Sequence, residues 1–182
     1  FHKPRYDQLV ALTREYAGSE ISILIDVGCG RGIFQKWLKQ NAVNVAQYVG
    51  CDINVDALHE SKNMEHILCD VQHLPFKPCV AEVVMCSEVL EHVPEPYMGF
   101  KEILGIAKRW IFMSFPDEKI KNTLGFRYPE HISELNDAEF ERLAKEKNFE
   151  LLEKEKLYFA FPPSVLDKLK LSYMAFYRSA IG

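Results

Sequence analysis

No apolar run in this chain approaches the roughly 18 residues that a membrane-crossing helix needs. No stretch is rich in Pro, Gly or Ser, and no repeat or low-complexity tract is visible, which excludes linker-dominated and disordered classes. Basic charge is not in excess: 22 Lys and Arg face 26 Asp and Glu, a net charge of −4. An overall basic footprint for nucleic acid is thereby excluded. The five cysteines (Cys29, Cys51, Cys69, Cys79 and Cys86) include no C-x-x-C pair and are odd in number. A disulfide framework and a zinc site of the usual spacing are both argued against, and a reducing compartment, the cytoplasm, is expected. No signal peptide is readable. Because residue 1 is Phe rather than Met, a trimmed chain is expected.

What is present fits one domain over residues 1–182, with 48% hydrophobic residues to build its core. Short β-branched runs at Ile21–Val27, Tyr48–Cys51, Ile67–Cys69, Val80–Cys86 and Trp110–Phe115 read as buried strands. Helical spacing is read over 5–17, from Ile33 through Leu38, over 54–62, and from Pro94 and Pro96 to about Lys108. Asn136 with Glu139 predicts a helix N-terminus with a reciprocal side-chain cap, running to Lys147. A long strand over Phe149–Phe161 carries charges suited to a sheet edge. In the tail, Ser164 with Asp167 suggests a short helix through Lys170, and Leu171–Ala180 is read as a last strand, with an amphipathic helix as its rival. Strands alternating with helices predict an α/β fold with a mostly parallel sheet. Four of the cysteines fall at or just past strand ends, which such a sheet would gather at one edge, most simply as packed thiols.

Ligands of open α/β sheets sit at the carboxyl ends of the strands. The first strand here runs into Asp26-Val27-Gly28-Cys29-Gly30-Arg31-Gly32. The third glycine stands at 32, whereas a dinucleotide fingerprint would place it at 33, where the chain has Ile33. The Gly-Lys-Ser/Thr of a triphosphate-binding loop is missing as well. Asp52 ends the second strand about 20 residues further on, where a carboxylate can accept both hydroxyl protons of a ribose. Asp70 ends the third strand, placed to accept from an exocyclic amine. Two such acids beside this loop point to an adenosine, although a single carboxylate there would be an ordinary turn residue.

These pieces, DVGCGRG at 26–32, GCDIN at 50–54, LCDVQHLPF at 68–76 and SEVLEHV at 87–93, resemble the class I S-adenosylmethionine-dependent methyltransferases, and within them the small-domain group with an E-V-L-E-H-V segment. The resemblance extends over roughly residues 20–161. It implies a Rossmann-like sheet of seven strands with helices on both faces, the last strand antiparallel and inserted between the fifth and sixth. It implies S-adenosylmethionine as cofactor. Gly28, Gly30 and Gly32, with Cys29 among them, would pack against its amino-acid part, and Asp26 would orient the ammonium. Asp52 would hold the ribose, Ile53 would lie against the adenine, Asp70 and Val71 would meet the adenine edge, and Ser87 would lie near the methionine portion. The family's Phe-Asp opening of the fourth strand is Ala81-Glu82 here, and its Pro-Gly-Gly turn is Lys108-Arg109-Trp110. Both departures put local turns in question.

For the acceptor, His92 follows the fourth strand and His131 lies late in the loop after the fifth. Each is a candidate general base, or a histidine that merely packs or is solvated. Glu88 and Glu91 are candidates for shaping the acceptor site, or first-turn carboxylates. Cys86-Ser87-Glu88-Val89 is neither the tetrad of base-amine methyltransferases nor a Pro-Cys nucleophile. Asp117 and Glu118 evoke a magnesium site but read better as a solvated turn, so no metal is expected. The expected acceptor is a small organic or lipid-like molecule, with Phe126, Tyr128, Tyr158, Phe159 and Phe161 as candidate pocket walls. Lys119, Lys121 and Arg127 make one local basic stretch, which keeps nucleic-acid or protein methylation as an alternative. A cofactor-binding subunit without catalysis is another. An NAD-dependent dehydrogenase is disfavoured by Ile33.

Overall fold

The computed structural model describes residues 3–61, 64–116, 129–133, 135–159 and 169–179, with the backbone alone for 3–4 and from 153 on. Its strands are β1 (Glu20–Val27), β2 (Asn44–Asp52), β3 (Glu65–Leu68), β4 (Ala81–Ser87), β5 (Ala107–Pro116), β6 (Phe149–Phe159) and β7 (Leu169–Ser179). They form one sheet in the order β3-β2-β1-β4-β5-β7-β6. The first five run parallel, and β7 is antiparallel to both β5 and β6. The seven-stranded order implied by the resemblance is thus present, with charged β6 at the edge.

Helices α1 (Lys3–Leu12), α2 (Ile33–Gln40), α3 (Val55–Glu60), α4 (Pro96–Ile106) and α5 (Asp137–Glu146) connect the strands. The two-residue period of each strand sorts its side chains between two cores. Ile25, Val84, Cys86, Ile111 and Met113 pack on one face with Phe100 of α4 and Phe140 of α5. Leu24, Val83, Met85 and Phe112 pack on the other with Leu9 of α1 and Phe34 and Leu38 of α2. Strands buried on both faces have no room for polar alternation, which is why their sequences read as continuous apolar runs.

Three local departures have identifiable causes. The helix expected over 5–17 is α-helical only to Leu12 and then widens into a π turn over Thr13–Ala17. The Thr13 hydroxyl donates to the Leu9 carbonyl at 2.6 Å, competing with the backbone for that acceptor and opening the turn. The helix expected to reach Lys108 stops at Ile106 and passes directly into β5, so the missing Pro-Gly-Gly turn is replaced by no turn at all. A register shift between the Ala81 and Val83 pairings absorbs the extra length, and Glu82 accepts from the N–H and hydroxyl of Ser22. The reciprocal cap of α5 forms by half. Asn136 Oδ1 accepts from Ala138 N at 3.0 Å, but the Asn136 N–H donates to the Tyr97 hydroxyl. Glu139 turns instead to Arg142. The short helix considered after Ser164 lies largely outside the described residues, and residues 169–170 belong to β7.

Phe140 is fully buried and touches Tyr97, Phe100 and Phe115, joining α4, α5 and β5. Phe140→Ala should lower stability by about 3–5 kcal/mol, read as a lower midpoint in urea unfolding.

Candidate active site

The chain reaches β3 at one side, then crosses beyond β1 to β4, so the order reverses between β1 and β4. The loops leaving these two strands therefore diverge and leave a crevice at their carboxyl ends. A cavity of about 290 Å³ opens there. Its walls come from the ends of β1 and β2, the turn after β3 and the segment after β4, and include Gly28, Asp52, Ile53, Asp70, Val71 and His92.

The glycine loop makes this crevice possible. Gly28, Gly30 and Gly32 all have positive φ, at 72°, 50° and 68°. At Gly28 the need is also steric, because a Cβ there would sit 2.1 Å from Val89 Cγ2. The loop after β4 thus presses directly on the loop after β1. The N–H groups of Gly28 and Cys29 both donate to the Cys51 carbonyl, at 2.7 and 3.1 Å, which folds the loop back across β2. Gly30 N donates to Asp52 Oδ2 and Asn54 N to Asp52 Oδ1, both at 2.8 Å. With one bond taken on each oxygen, the Asp52 carboxylate is held in a single orientation and keeps lone pairs for a ligand. Asp70 accepts from the backbone and side-chain nitrogens of Gln72. Between the two acids Ile53 is 71% exposed beside the cavity, a large apolar face placed against no protein core.

The charge around the cavity is one-sided. Asp52, Asp70 and Glu88 line it, and among the described residues no Lys or Arg does. Arg5 lies behind Glu88 at 3.4 Å, and Arg31 pairs outward with Glu60. Below the glycine loop Asp26 is only 4% exposed. Burial pushes its carboxyl up to about 7; the hydrogen bond from the Tyr48 hydroxyl opposes this, and the Asp52 charge adds to it. The Cys51 thiol beside the cavity donates to the Cys69 sulfur, which holds Cys69 below the usual thiol range and raises Cys51. All five cysteines are free thiols.

The expected site residues divide accordingly. Gly28, Asp52, Ile53, Asp70, Val71 and His92 line the cavity. Gly30 touches it through its bond to Asp52, while Asp26, Cys29 and Gly32 lie in the supporting layer around the loop. Ser87 does not line the cavity. Its hydroxyl is 2.7 Å from that of Ser114, which donates on to Glu88. His92 and His131, far apart in sequence, meet edge to face with centroids 4.8 Å apart. They meet because the segment carrying His131 docks on a 3-10 turn, Leu90–His92, that the sequence did not announce. Asp117, Glu118, Lys119, Lys121, Phe126, Arg127, Tyr128 and Phe161, and the side chains of Tyr158 and Phe159, lie outside the described residues. No described helix is long and apolar enough to cross a membrane.

Residues 25–110 match the family model of a methyltransferase domain. A ubiquinone biosynthesis O-methyltransferase of Bordetella parapertussis is 33% identical over 112 residues, which are 56% of this chain and 45% of that protein. The chain thus spans about half the length of that relative. A protein of the same name from Hydrogenovibrio crunogenus is 24% identical over 94% of this chain and 82% of its own length. Among solved structures, magnesium protoporphyrin IX methyltransferase from Synechocystis PCC 6803 with bound SAH has a TM-score of 0.76 at 18% identity, covering 97% of this chain and 83% of that one.

Because the carboxyl of Asp26 is pushed above its unfolded value, its neutral form stabilises the ligand-free fold. That contribution is complete below about pH 4 and is lost as pH rises through 7. Stability measured in urea should therefore fall between about pH 4 and pH 7, and Asp26→Asn should flatten the slope over that window.

Proposed function

We propose that the chain, whose residues 25–110 match a methyltransferase-domain model, is a class I S-adenosylmethionine-dependent methyltransferase and transfers a methyl group from S-adenosylmethionine to a small organic or lipid-like acceptor by direct in-line displacement. The observation that carries this reading is the cavity at the switch point, walled by three carboxylates and, among the described residues, by no Lys or Arg. Such a site repels a pyrophosphate or triphosphate and favours a nucleoside bearing a sulfonium and an ammonium. The glycine spacing argues in the same direction.

The residues present fit this cofactor. Asp52, fixed by two backbone N–H groups, would accept from the ribose hydroxyls. Ile53 would cover one face of the adenine, with Asp70 and Val71 at its edge. Gly28 and Gly30, bare of side chains, would admit the amino-acid portion, and Asp26 beneath them would draw in its ammonium. When bound, the sulfonium supplies a methyl group that is intrinsically reactive. The protein's work is to hold an acceptor in line with it and keep water away. His92 on the cavity wall, with His131 behind it, sits where the acceptor would enter. The relatives named above are methyltransferases of ubiquinone biosynthesis and of a magnesium protoporphyrin, both organic acceptors, which supports the acceptor class. Five free thiols support a reducing, cytoplasmic setting.

Thermal and urea unfolding with S-adenosylmethionine, S-adenosylhomocysteine and NAD test the cofactor. At 100 times its dissociation constant a ligand adds about 2.7 kcal/mol. The two sulfur nucleosides should stabilise the protein and NAD should not, and Asp52→Ala should abolish the effect. Stabilisation by NAD alone, or by none of the three, overturns the reading.

A further inference from the structure

We propose that Glu91, His92 and His131 form a binding site for a first-row divalent cation at the mouth of the cofactor cavity. One oxygen of Glu91 and one ring nitrogen from each histidine all lie within 4.8 Å of one another. Adjacent ligands on one such ion stand about 3.0–3.4 Å apart, given bonds near 2.1 Å. Side-chain shifts of up to about an ångström complete the set.

The surroundings resemble those of metal ligands. His92 Nδ1 lies 2.9 Å from the Glu130 carbonyl. A carbonyl only accepts, so Nδ1 carries the proton, and in the neutral ring Nε2 is left with its lone pair facing Glu91 Oε1, 3.9 Å away. This is the outer-shell device that fixes the tautomer of ligating histidines. Glu91 is fully buried and lies within reach of both imidazoles. The geometry is also preset. The Glu91 carbonyl accepts from Ile132 N and Ser133 N, at 3.0 and 3.2 Å, and the Ser133 hydroxyl donates to the Val93 carbonyl at 2.5 Å. These bonds clamp the segment bearing His131 onto the turn bearing Glu91 and His92.

Two imidazoles and one carboxylate suit Mn²⁺, Fe²⁺, Co²⁺ or Zn²⁺ better than Mg²⁺. Three protein ligands leave positions open for an exogenous oxygen. His92 also lines the cavity, so that oxygen would belong to the acceptor. The metal site stands by itself, whereas this use of it rests on the methyl-transfer reading. A hydroxyl bound there would release its proton to water at lower pH than in solution. Its oxygen then takes the methyl carbon as the carbon–sulfur bond breaks and its electron pair goes to sulfur. The acceptor class is accordingly a hydroxylated compound methylated on oxygen.

The test is titration of the chelator-treated full chain with Co²⁺, followed by its visible ligand-field bands and by equilibrium dialysis. The wild-type protein should bind one equivalent saturably. His131→Ala and His92→Ala, each half-exposed and checked for an unchanged thermal melt, should weaken binding at least about 100-fold. Asp52→Ala should keep the Co²⁺ bands while losing S-adenosylmethionine, so the two sites fail independently. Absence of saturable binding, or bands unchanged in both histidine variants, overturns the proposal.

Discussion

Parallel strands end with backbone groups that the sheet itself leaves unmatched, and the whole site follows from how this chain matches them. Beyond the last rung of the β1–β2 ladder, the Cys51 carbonyl takes two N–H groups from the glycine loop. The Asp52 carbonyl takes Cys69 N, and the Ser114 carbonyl takes Glu88 N. Each bond pulls the loop after one strand across the end of its neighbour. The result is a row of short, rigid loops whose acids and glycines converge without any long lever. Removing the Cβ at Gly28 is the condition for the last of these closures, since Val89 fills the space a side chain would need. Burial alone would have been satisfied by many loops; only a backbone free to take φ near 72° satisfies burial and hydrogen bonding together.

The same edge concentrates negative charge. Burial first, and then the nearby Asp52 charge, makes Asp26 hold its proton more tightly. Without a ligand the site is thus under electrostatic tension that a cation relieves. A cationic ligand would lower the cost of ionising Asp26, coupling its binding to proton release.

Much of this was legible in the residues. Strands buried on both faces announce themselves as β-branched runs, and glycines with acids at fixed strand ends announce the crevice that opens at the switch point. What escaped was set by contacts distant in sequence. The ending of α4 at Ile106 depends on how β5 pairs with β4 across a register shift. The half-formed cap of α5 depends on the Tyr97 hydroxyl arriving from α4. The π turn after α1 was local in cause, yet Thr13 bonding to Leu9 is one of several options for a threonine in a helix. The 3-10 turn at Leu90–His92 has only three residues and follows Glu88, whose φ of 57° no pattern in the sequence requires.

That turn has the largest consequence for chemistry. Successive residues of a 3-10 turn project about 120° apart, and this one sends Glu91 inward to full burial and leaves His92 on the cavity wall. Glu88, three residues earlier, is tied to Ser114 and Arg5 and faces the cavity from its other side. One short segment therefore presents a carboxylate toward the cavity and another toward the paired imidazoles. Any shift of the segment moves both together, so the cavity wall and the histidine pair are linked through the backbone of residues 88–92.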